Sequence, residues 1–593
     1  MSGNHREKQL AEAEEILGDR FQQAGFVKGL FFGQHLGSRL PKYPFQKHDS
    51  EMAHRVAELR TFLHAEVDPV AIDRDAEIPQ HVIDGLGRLG VLGACLPKTA
   101  GGQGLSQTQY CELLEVLGGH CGSTALFVNA HHSIGPRALV LFGTPQQQQR
   151  WLPKLATGEW ISAFALTEPE AGSDAGNVQT TATPTADGTG FVLKGQKRWI
   201  TNGGISQVLT VMARTPDPAP DGSKITAFLV TPDMPGFEVV EKRMEKMGVR
   251  GTATSRLAFH DMLVPRENVL GQIGKGLKVA LTVLDFGRTT FGASCTGAAK
   301  FCVERAVAHA NARVQFGQKL GSFELVKEKL AYMQAGVYAM EACTYQTAAL
   351  IDAGEGDFML ETAMLKVFAT ETLWRILNDT FQIHGGTAYF TDQPFERMVR
   401  DARINTIGEG ANDVLRAFTA LVGMRDVGLE LEGVLNAIHH PIGNVSRIGR
   451  FAGRKLHSLL APPNIAVRNS ELEADAAKLS RGIAALGKNV ERLLVTHQKE
   501  IVDRQYLLGR AADAATELYV CSCVLNRLDE TLRHALHDDQ SQIEVAWELE
   551  VGRYYLNTAL RRVHRSLAEL WDNDDEETTH IANRMLRRGS LKP

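Results

Sequence analysis

The sequence predicts a mainly α protein with a central antiparallel β domain, either a sandwich or a barrel. A helical region precedes that domain, and a helical bundle and a further helical domain follow it. Three observations carry this reading. Apolar residues recur at helical spacing through about 51–160. Around 160–270 the period shortens to alternation, in runs such as FVLKG, QVLTVMA, KITAFLVTP and SRLAFHDMLVP, separated by turn clusters such as TPTADGTG. From Gly276 to about Val422 helical spacing returns and is unusually apolar, as in a bundle.

In order, residues 1–50 read as an N-terminal arm: an acidic amphipathic helix, then FVKGLFFGQHLGSRLPKYPF, an aromatic piece that drapes over another domain. Residues 51–160 form the helical domain, with helical runs at His54–Leu63, Val82–Leu89, Tyr110–Leu117 and Ala138–Phe142. Residues 161–275 form the β domain. Residues 276–425 form the bundle, with helices over Leu277–Leu284, Ala293–Ala310, Val326–Ala349 and Phe358–His384. Residues 426–475 are a linker with Pro441, Pro462 and Pro463, and 476–593 are a more charged helical domain.

Composition excludes several classes. With 593 residues, 44% hydrophobic and 22% charged, the chain is an ordinary multidomain globular protein. A net charge of −5 gives no general attraction to nucleic acid. The eight cysteines form no CxxC pair and read as reduced core residues. No segment has the length and apolarity of a membrane span, and the acid-rich N-terminus is unlike a secretory or transit signal. A cytoplasmic, prokaryotic protein is expected. The adjacent His131 and His132 read as packing rather than a metal site.

Six stretches carry candidate chemistry. Phe164–Asp174 (FALTEPEAGSD) is a polar strand-to-turn connection. Trp199–Gly204 (WITNGG) sets an aromatic ring beside a hydroxyl, which suits stacking under a planar cofactor. Met247–Arg256 is a Gly- and Thr-rich loop, and Asp285–Arg288 reads as the end of the first bundle helix. Arg313–Gln318 precedes a new helix, and Gln382–Gly386 is a Gly-Gly stop after a long helix. Beyond them lies Gly408–Glu409–Gly410, just before a helical restart at Asn412. Glycines on both sides let the backbone take unusual φ values and come close to a ligand. Glu409 is then either a carboxylate shown to a small molecule or an acid complementing a helix N-terminus. No GxGxxG follows a strand, so no dinucleotide fold is signalled.

LTEPEAGSD, WITNGG, MGVRGTATS, ARVQFG, QIHGG and EGANDVLR, in that order and spacing, resemble the acyl-CoA dehydrogenases over about 51–425. FVKGLFFGQ and HQKEIVDRQYLLGRAADAATELY at 497–519 are similar to the very-long-chain branch with its extra C-terminal helical domain. The resemblance implies FAD-dependent α,β-dehydrogenation of a long or very-long acyl-CoA to the trans-2-enoyl-CoA, in fatty acid β-oxidation. Electrons would pass to an electron-transfer flavoprotein. Alternatives on the same fold are an acyl-CoA oxidase and a non-enzymatic assembly factor.

In that family the acid of the EG turn takes the α-proton while a hydride passes to the flavin, and here that acid is Glu409. The implied FAD contacts are Phe164, Leu166, Thr167, Gly172 and Ser173 on one side and Trp199, Ile200 and Thr201 on the other. Arg313, Gln315 and Phe316 match contacts reaching FAD from a neighbouring subunit, which implies a homodimer at least. Gln382, Gly385 and Gly386 match a stretch near the adenosine, and Ala411, Asn412 and Asp413 follow the base as flavin contacts do. Ser173, Asp285 and Arg288 match CoA thioester and pantetheine contacts, with Gly408 and Gly410 permitting close approach.

The sequence departs from the family at Gly408, usually Tyr or Phe, and at Ala411, usually Thr. The first widens the site and the second removes a flavin-facing hydroxyl. Ala125 and Asn129 are expected to line the acyl tunnel, where the very-long-chain enzymes keep glycines. Residues 444–468 form a basic amphipathic stretch suited to a membrane surface, as its counterpart is in that branch.

Overall fold

The structure is a computed structural model describing residues 25–45, 50–216, 223–439, 462–535 and 542–589. The chain divides into two compact units, one of residues 1–23 and 43–412, the other of 24–42 and 413–593.

In chain order the first helix is α1 (Phe26–Phe31), which belongs to the second unit. The first unit then begins with α2 (Ser50–Glu66), α3 (Pro69–Asp75), α4 (Gln80–Arg88), α5 (Gln107–His120), α6 (Gly122–Asn129), α7 (Gly135–Phe142) and α8 (Pro145–Thr157). Local chemistry sets the starts of these helices. Asp68 accepts from the Val70 and Ala71 N–H groups at the head of α3. Ser106 with Gln109, and Thr144 with Gln147, close reciprocal capping boxes on α5 and α8. One π-helical turn, Ala130–Ile134, joins α6 to α7.

A mixed sheet follows: β1 (Ser162–Ala165), β2 (Thr181–Pro184), β3 (Gly190–Ile200), β4 (Val208–Pro216), β5 (Ser223–Val230), β6 (Phe237–Glu241), β7 (Ser255–Pro265) and β8 (Val269–Leu270). The strand order is β6-β7-β3-β2-β4-β5-β8, with β1 also on β4. The expected antiparallel pattern holds for β2 with β3, β3 with β7, β4 with β5, β5 with β8 and β6 with β7. It does not hold for β1 on β4 or β2 on β4, which run parallel. The reason is topological: the chain reverses between β2 and β3 and again between β3 and β4, so β4 runs the same way as β2 and β1. Phe191, Phe228 and Phe259 fill one apolar cluster of the sheet, and Trp151, Leu155, Met212 and Val283 fill another shared with helices.

The bundle comprises α9 (Gly276–Ala312), α10 (Glu324–Asp352) and α11 (Met359–His384), then short α12 (Gly386–Tyr389) and α13 (Phe395–Arg403). Between α9 and α10 lies a two-residue hairpin of β9 (Val314–Gln315) and β10 (Gln318–Lys319). The two helices read from sequence over 277–284 and 293–310 are one continuous helix, so Asp285–Arg288 lies mid-helix and does not end it. Glycines in α9 serve close approach instead. A Cβ at Gly297 would lie 1.8 Å from the Glu115 carbonyl oxygen of α5.

The second unit holds most of α14 (Asn412–His439), then α15 (Glu473–His497), α16 (Gln505–Ala535), α17 (Gln542–Ala568) and α18 (Asp575–Arg588). The aromatic segment packs within this unit: the Phe26 ring lies 6.1 Å from Tyr519, and Asn526 donates to the Pro41 carbonyl at 2.8 Å. Arg468 forks onto Asp529 and Glu530 at 2.8 and 2.6 Å, fixing the end of the basic stretch. Residues 444–461 of that stretch lie outside the described residues, as does the acidic N-terminal helix. Among the described residues no helix is long and apolar enough to cross a membrane.

Candidate active site

Glu409 sits in the turn between α13 and α14 with φ +54, beside Gly410 at φ +96. A non-glycine residue there stores strain of about 1–3 kcal/mol and persists only where neighbours over-determine it. Four hydrogen bonds do so. Gly408 N–H donates to the Ile404 carbonyl at 2.8 Å. Lys366 Nζ, from α11, donates to the Gly410 carbonyl and to Asn412 Oδ1, both at 2.8 Å. Arg288 Nε reaches the Glu409 carbonyl at 3.4 Å. Asn412 in turn donates to Thr370 and Glu371 at 3.0 and 2.7 Å, locking the helix start to α11.

The Glu409 side chain turns inward onto α9. Asn129 Nδ2 donates to its Oε1 at 2.9 Å, while Oε2 is sealed from solvent and has no hydrogen-bond partner. A buried carboxylate oxygen left bare is costly, and it is the lone pair a general base needs. Burial pushes the Glu409 carboxyl up to about 7, against the pull of Lys366, Arg288 and the Asn129 amide. Burial likewise lowers Lys366 to about 8. Arg288 and Asp285, both buried, pair at 3.0 Å, and Thr362 donates to Asp285 at 3.2 Å.

Gly287 explains how the carboxyl fits. A Cβ there would lie 2.9 Å from Glu409 Oε2. Because the clashing atom ends a flexible side chain, Gly287→Ala is expected to preserve or slightly raise thermal stability through its better helix propensity. Turnover is expected to fall about tenfold or more, since a shift near 1 Å misplaces the acid. Melting and steady-state rates measured on one preparation check both halves.

An apolar cavity of about 60 Å³ is lined by Ala125, Asn129, Phe291, Cys295 and Leu377 among others, and Asn129 links that lining to the acid. The expected tunnel positions, Ala125 and Asn129, both face it.

The β side supplies a second wall. Lys197 Nζ donates to the Leu166 carbonyl at 2.9 Å and to Glu168 at 2.6 Å, and Arg198 N–H donates to the Thr167 carbonyl at 3.0 Å. These bonds bind the LTEP turn to β3, which ends in Trp199 and Ile200 just ahead of Thr201. Trp199 has φ +60 and is 51% exposed, with the Arg198 guanidinium 4.8 Å from its ring. A bulky aromatic held in that conformation with half its surface bare fits a flat ring system laid against it. Gly172 and Ser173 are exposed, and nothing lies within 4 Å of where a Gly172 Cβ would be. These residues fit a flavin.

The structure gathers most of the sequence-derived candidates. Asn202 of the WITNGG turn donates to the Phe127 carbonyl on α6, two residues before Asn129. The MGVRG loop meets the base-bearing segment through Val249 N–H to Asp401 at 2.5 Å. Two groups stay apart from the Glu409 cluster. Arg313, Gln315 and Phe316 stand on the β9–β10 hairpin, all exposed, with Phe316 94% exposed at its tip. Gln382, Gly385 and Gly386 are exposed at the end of α11, and Asp413 is also exposed. Ala411 is half-buried, without a polar side-chain atom to offer.

Sequence reasoning missed Gly287, Thr290, Lys366 and the Glu168–Lys197 pair. Lys366 left a readable signal, a lone cation inside the largely apolar run MLETAMLKVFAT. His131 and His132 are satisfied by packing partners: His131 by the Leu155 carbonyl and Ser162 N–H, His132 by the Leu92 carbonyl and Cys95 N–H.

Comparison with known proteins agrees with this geometry. Residues 50–159, 163–262 and 274–422 match the N-terminal, middle and C-terminal domains of acyl-CoA dehydrogenase, and 470–591 match the ACAD9/ACADV C-terminal domain. The chain is 34% identical to the human mitochondrial very long-chain specific acyl-CoA dehydrogenase, over 96% of this chain and 88% of that one. It is 33% identical to the probable acyl-CoA dehydrogenase FadE10 of Mycobacterium tuberculosis, over 98% and 91%. The crystal structure of an acyl-CoA dehydrogenase complexed with FAD from Bacillus anthracis superposes with a TM-score of 0.78 at 27% identity, covering 93% of this chain and 94% of that one. Fold and site define a flavoprotein oxidoreductase whose cofactor is FAD. The chain belongs to the acyl-CoA dehydrogenase family, with the additional C-terminal helical domain.

Proposed function

We propose that this chain oxidises long or very-long acyl-CoA thioesters at Cα–Cβ, with Glu409 as the base. The observation that carries this is the buried, unpartnered Oε2 of Glu409, a carboxylate whose other oxygen is held by Asn129 of an apolar cavity's lining. FAD, when bound between the LTEP turn and the WITNGG strand, supplies the hydride acceptor. The protein's part is to bind, orient and move one proton. Glu409 takes the α-proton onto Oε2, and burial makes it basic enough to do so near neutral pH. The N–H of the strained turn donates to the thioester oxygen as charge develops there. Arg288, held by Asp285, braces that turn from α9, and Ser173 contacts the CoA side. The missing ring at Gly408 leaves room beside the acyl chain.

Electron-transfer flavoprotein is the proposed acceptor. Exposed Phe316 and its hairpin neighbours Arg313 and Gln315 are proposed to complete the FAD site of a second subunit in a homodimer. Gln382, Gly385 and Gly386 would meet the adenosine end. The basic 444–468 stretch is proposed to rest on an inner membrane face of a prokaryotic cell.

Anaerobic flavin reduction titrated with acyl-CoAs of increasing length tests this reading. Bleaching is expected, strongest with long chains, and none with any acyl-CoA would refute it. The base must be ionised to act, so the rate is expected to rise with pH through a limb centred near 7, where burial has placed Glu409. A limb near 4.5 would mean a solvated acid does the work.

A further inference from the structure

Asn129 is the last residue of α6 and is 1% exposed. Its amide is engaged at both ends. Nδ2 donates to Glu409 Oε1 at 2.9 Å, and Oδ1 accepts from Thr290 Oγ1 at 2.5 Å. Thr290 is on α9, and its hydroxyl also meets Ser133 Oγ at 3.1 Å. Ser133 lies in the π-helical turn that follows Asn129. A π-turn displaces the side chains around it and recurs at functional sites. With its oxygen taken by a hydroxyl donor, the amide can present only N–H to the carboxylate. A polar side chain on the wall of an apolar cavity is costly unless paired. Here both of its ends are paired, and one pair is with the acid itself.

We propose that Asn129, oriented by Thr290, is a positioning residue for the base: it holds Oε1 of Glu409 so that Oε2 alone is offered to the substrate. This rests on Glu409 being the base. The consequence is twofold. Glu409 is held in one rotamer, and its ionised form gains a donor that an apolar wall would not supply. The other charged and titratable groups facing Glu409 are Arg288, backed by Asp285, and Cys295 on α9, with Lys366 and beyond it Glu371 on α11. Removing Asn129 leaves those in place, so the change in the acid's titration reads the amide alone.

The test is the pH dependence of kcat/KM for Asn129→Ala and Thr290→Val holoenzymes, with an acyl-CoA that the wild-type protein oxidises. Losing a donor to the charged form raises the base's pKa. The acidic limb is therefore expected to move up by about one pH unit in Asn129→Ala. Thr290→Val is expected to move it the same way by less. Activity lost at neutral pH should return as pH rises. If Asn129 only fills space in the cavity, the rate will change equally at every pH and the limb will stay with wild type in both variants, which overturns the proposal. Glu409→Gln in the same series separates the two claims. Its inactivity alongside unshifted limbs refutes the positioning role alone, and its retained activity refutes the base and this role together.

Discussion

Glu409→Gln is expected to keep its FAD, bind acyl-CoA and lose flavin bleaching by about 10⁴-fold or more. The amide matches the carboxyl in size and can still accept from Asn129, so the turn, the Arg288 contact and the cavity are retained. What disappears is the lone pair on Oε2 and with it the proton acceptor. The general-base contribution of a positioned side chain is about 10²–10⁴-fold, and the top of that range sets the lower end of this expectation. The same substitution has a second readout of opposite sign. The folded pKa of about 7 lies above the usual 4.5, so the folded state holds its proton more tightly than the unfolded chain between those values. Stability from this group is therefore full below pH 4.5 and lost as pH rises to 7. Above that pH the ionised base costs the fold on the order of 3 kcal/mol. Apo Glu409→Gln should melt higher than wild type at pH 8 and close to it at pH 4.5.

The largest stability effect is expected at Lys197→Met. Lys197 and Glu168 are buried side by side, with side-chain exposures of 0% and 2%. Burial pushes Glu168 up, but Lys197 and the Thr180 and Gln179 donors outweigh it and hold the carboxyl below its ordinary value. Removing the lysine leaves a buried carboxylate without its counter-charge, a loss of about 3–5 kcal/mol. It also frees the Leu166 carbonyl, so the turn expected along the flavin loses its tie to β3. The variant should melt several degrees lower and release FAD on gel filtration. The double variant with Glu168→Gln should recover part of the stability, because the two changes touch one interaction. Additive losses would mean the pair is not coupled as drawn.

Much of this was legible in the chain because it is local. The glycines flanking Glu409 and the shift from helical to alternating period are written within a few residues of where they act. Long-range facts were not. Alternation shows which side of a strand is buried but not its direction, so the parallel pairing of β1 with β4 was invisible. Gly287 interrupts the apolar run of α9 and reads as a helix end. Its purpose is to clear a carboxyl 122 residues further on. The family resemblance pointed to Asn129 as a wall residue but not to its contact with Glu409, since a separation of 280 residues leaves no local trace.

The central claim, that Glu409 moves the α-proton, is tested most directly by following exchange of the acyl-CoA α-hydrogen into D₂O. A β-substituted analogue that cannot lose hydride isolates that step, with wild type and Glu409→Gln holoenzymes compared at pH 8. Wild type is expected to exchange the α-hydrogen and Glu409→Gln to show no exchange above the protein-free rate. Exchange at the wild-type rate in Glu409→Gln would place the base elsewhere and contradict the account.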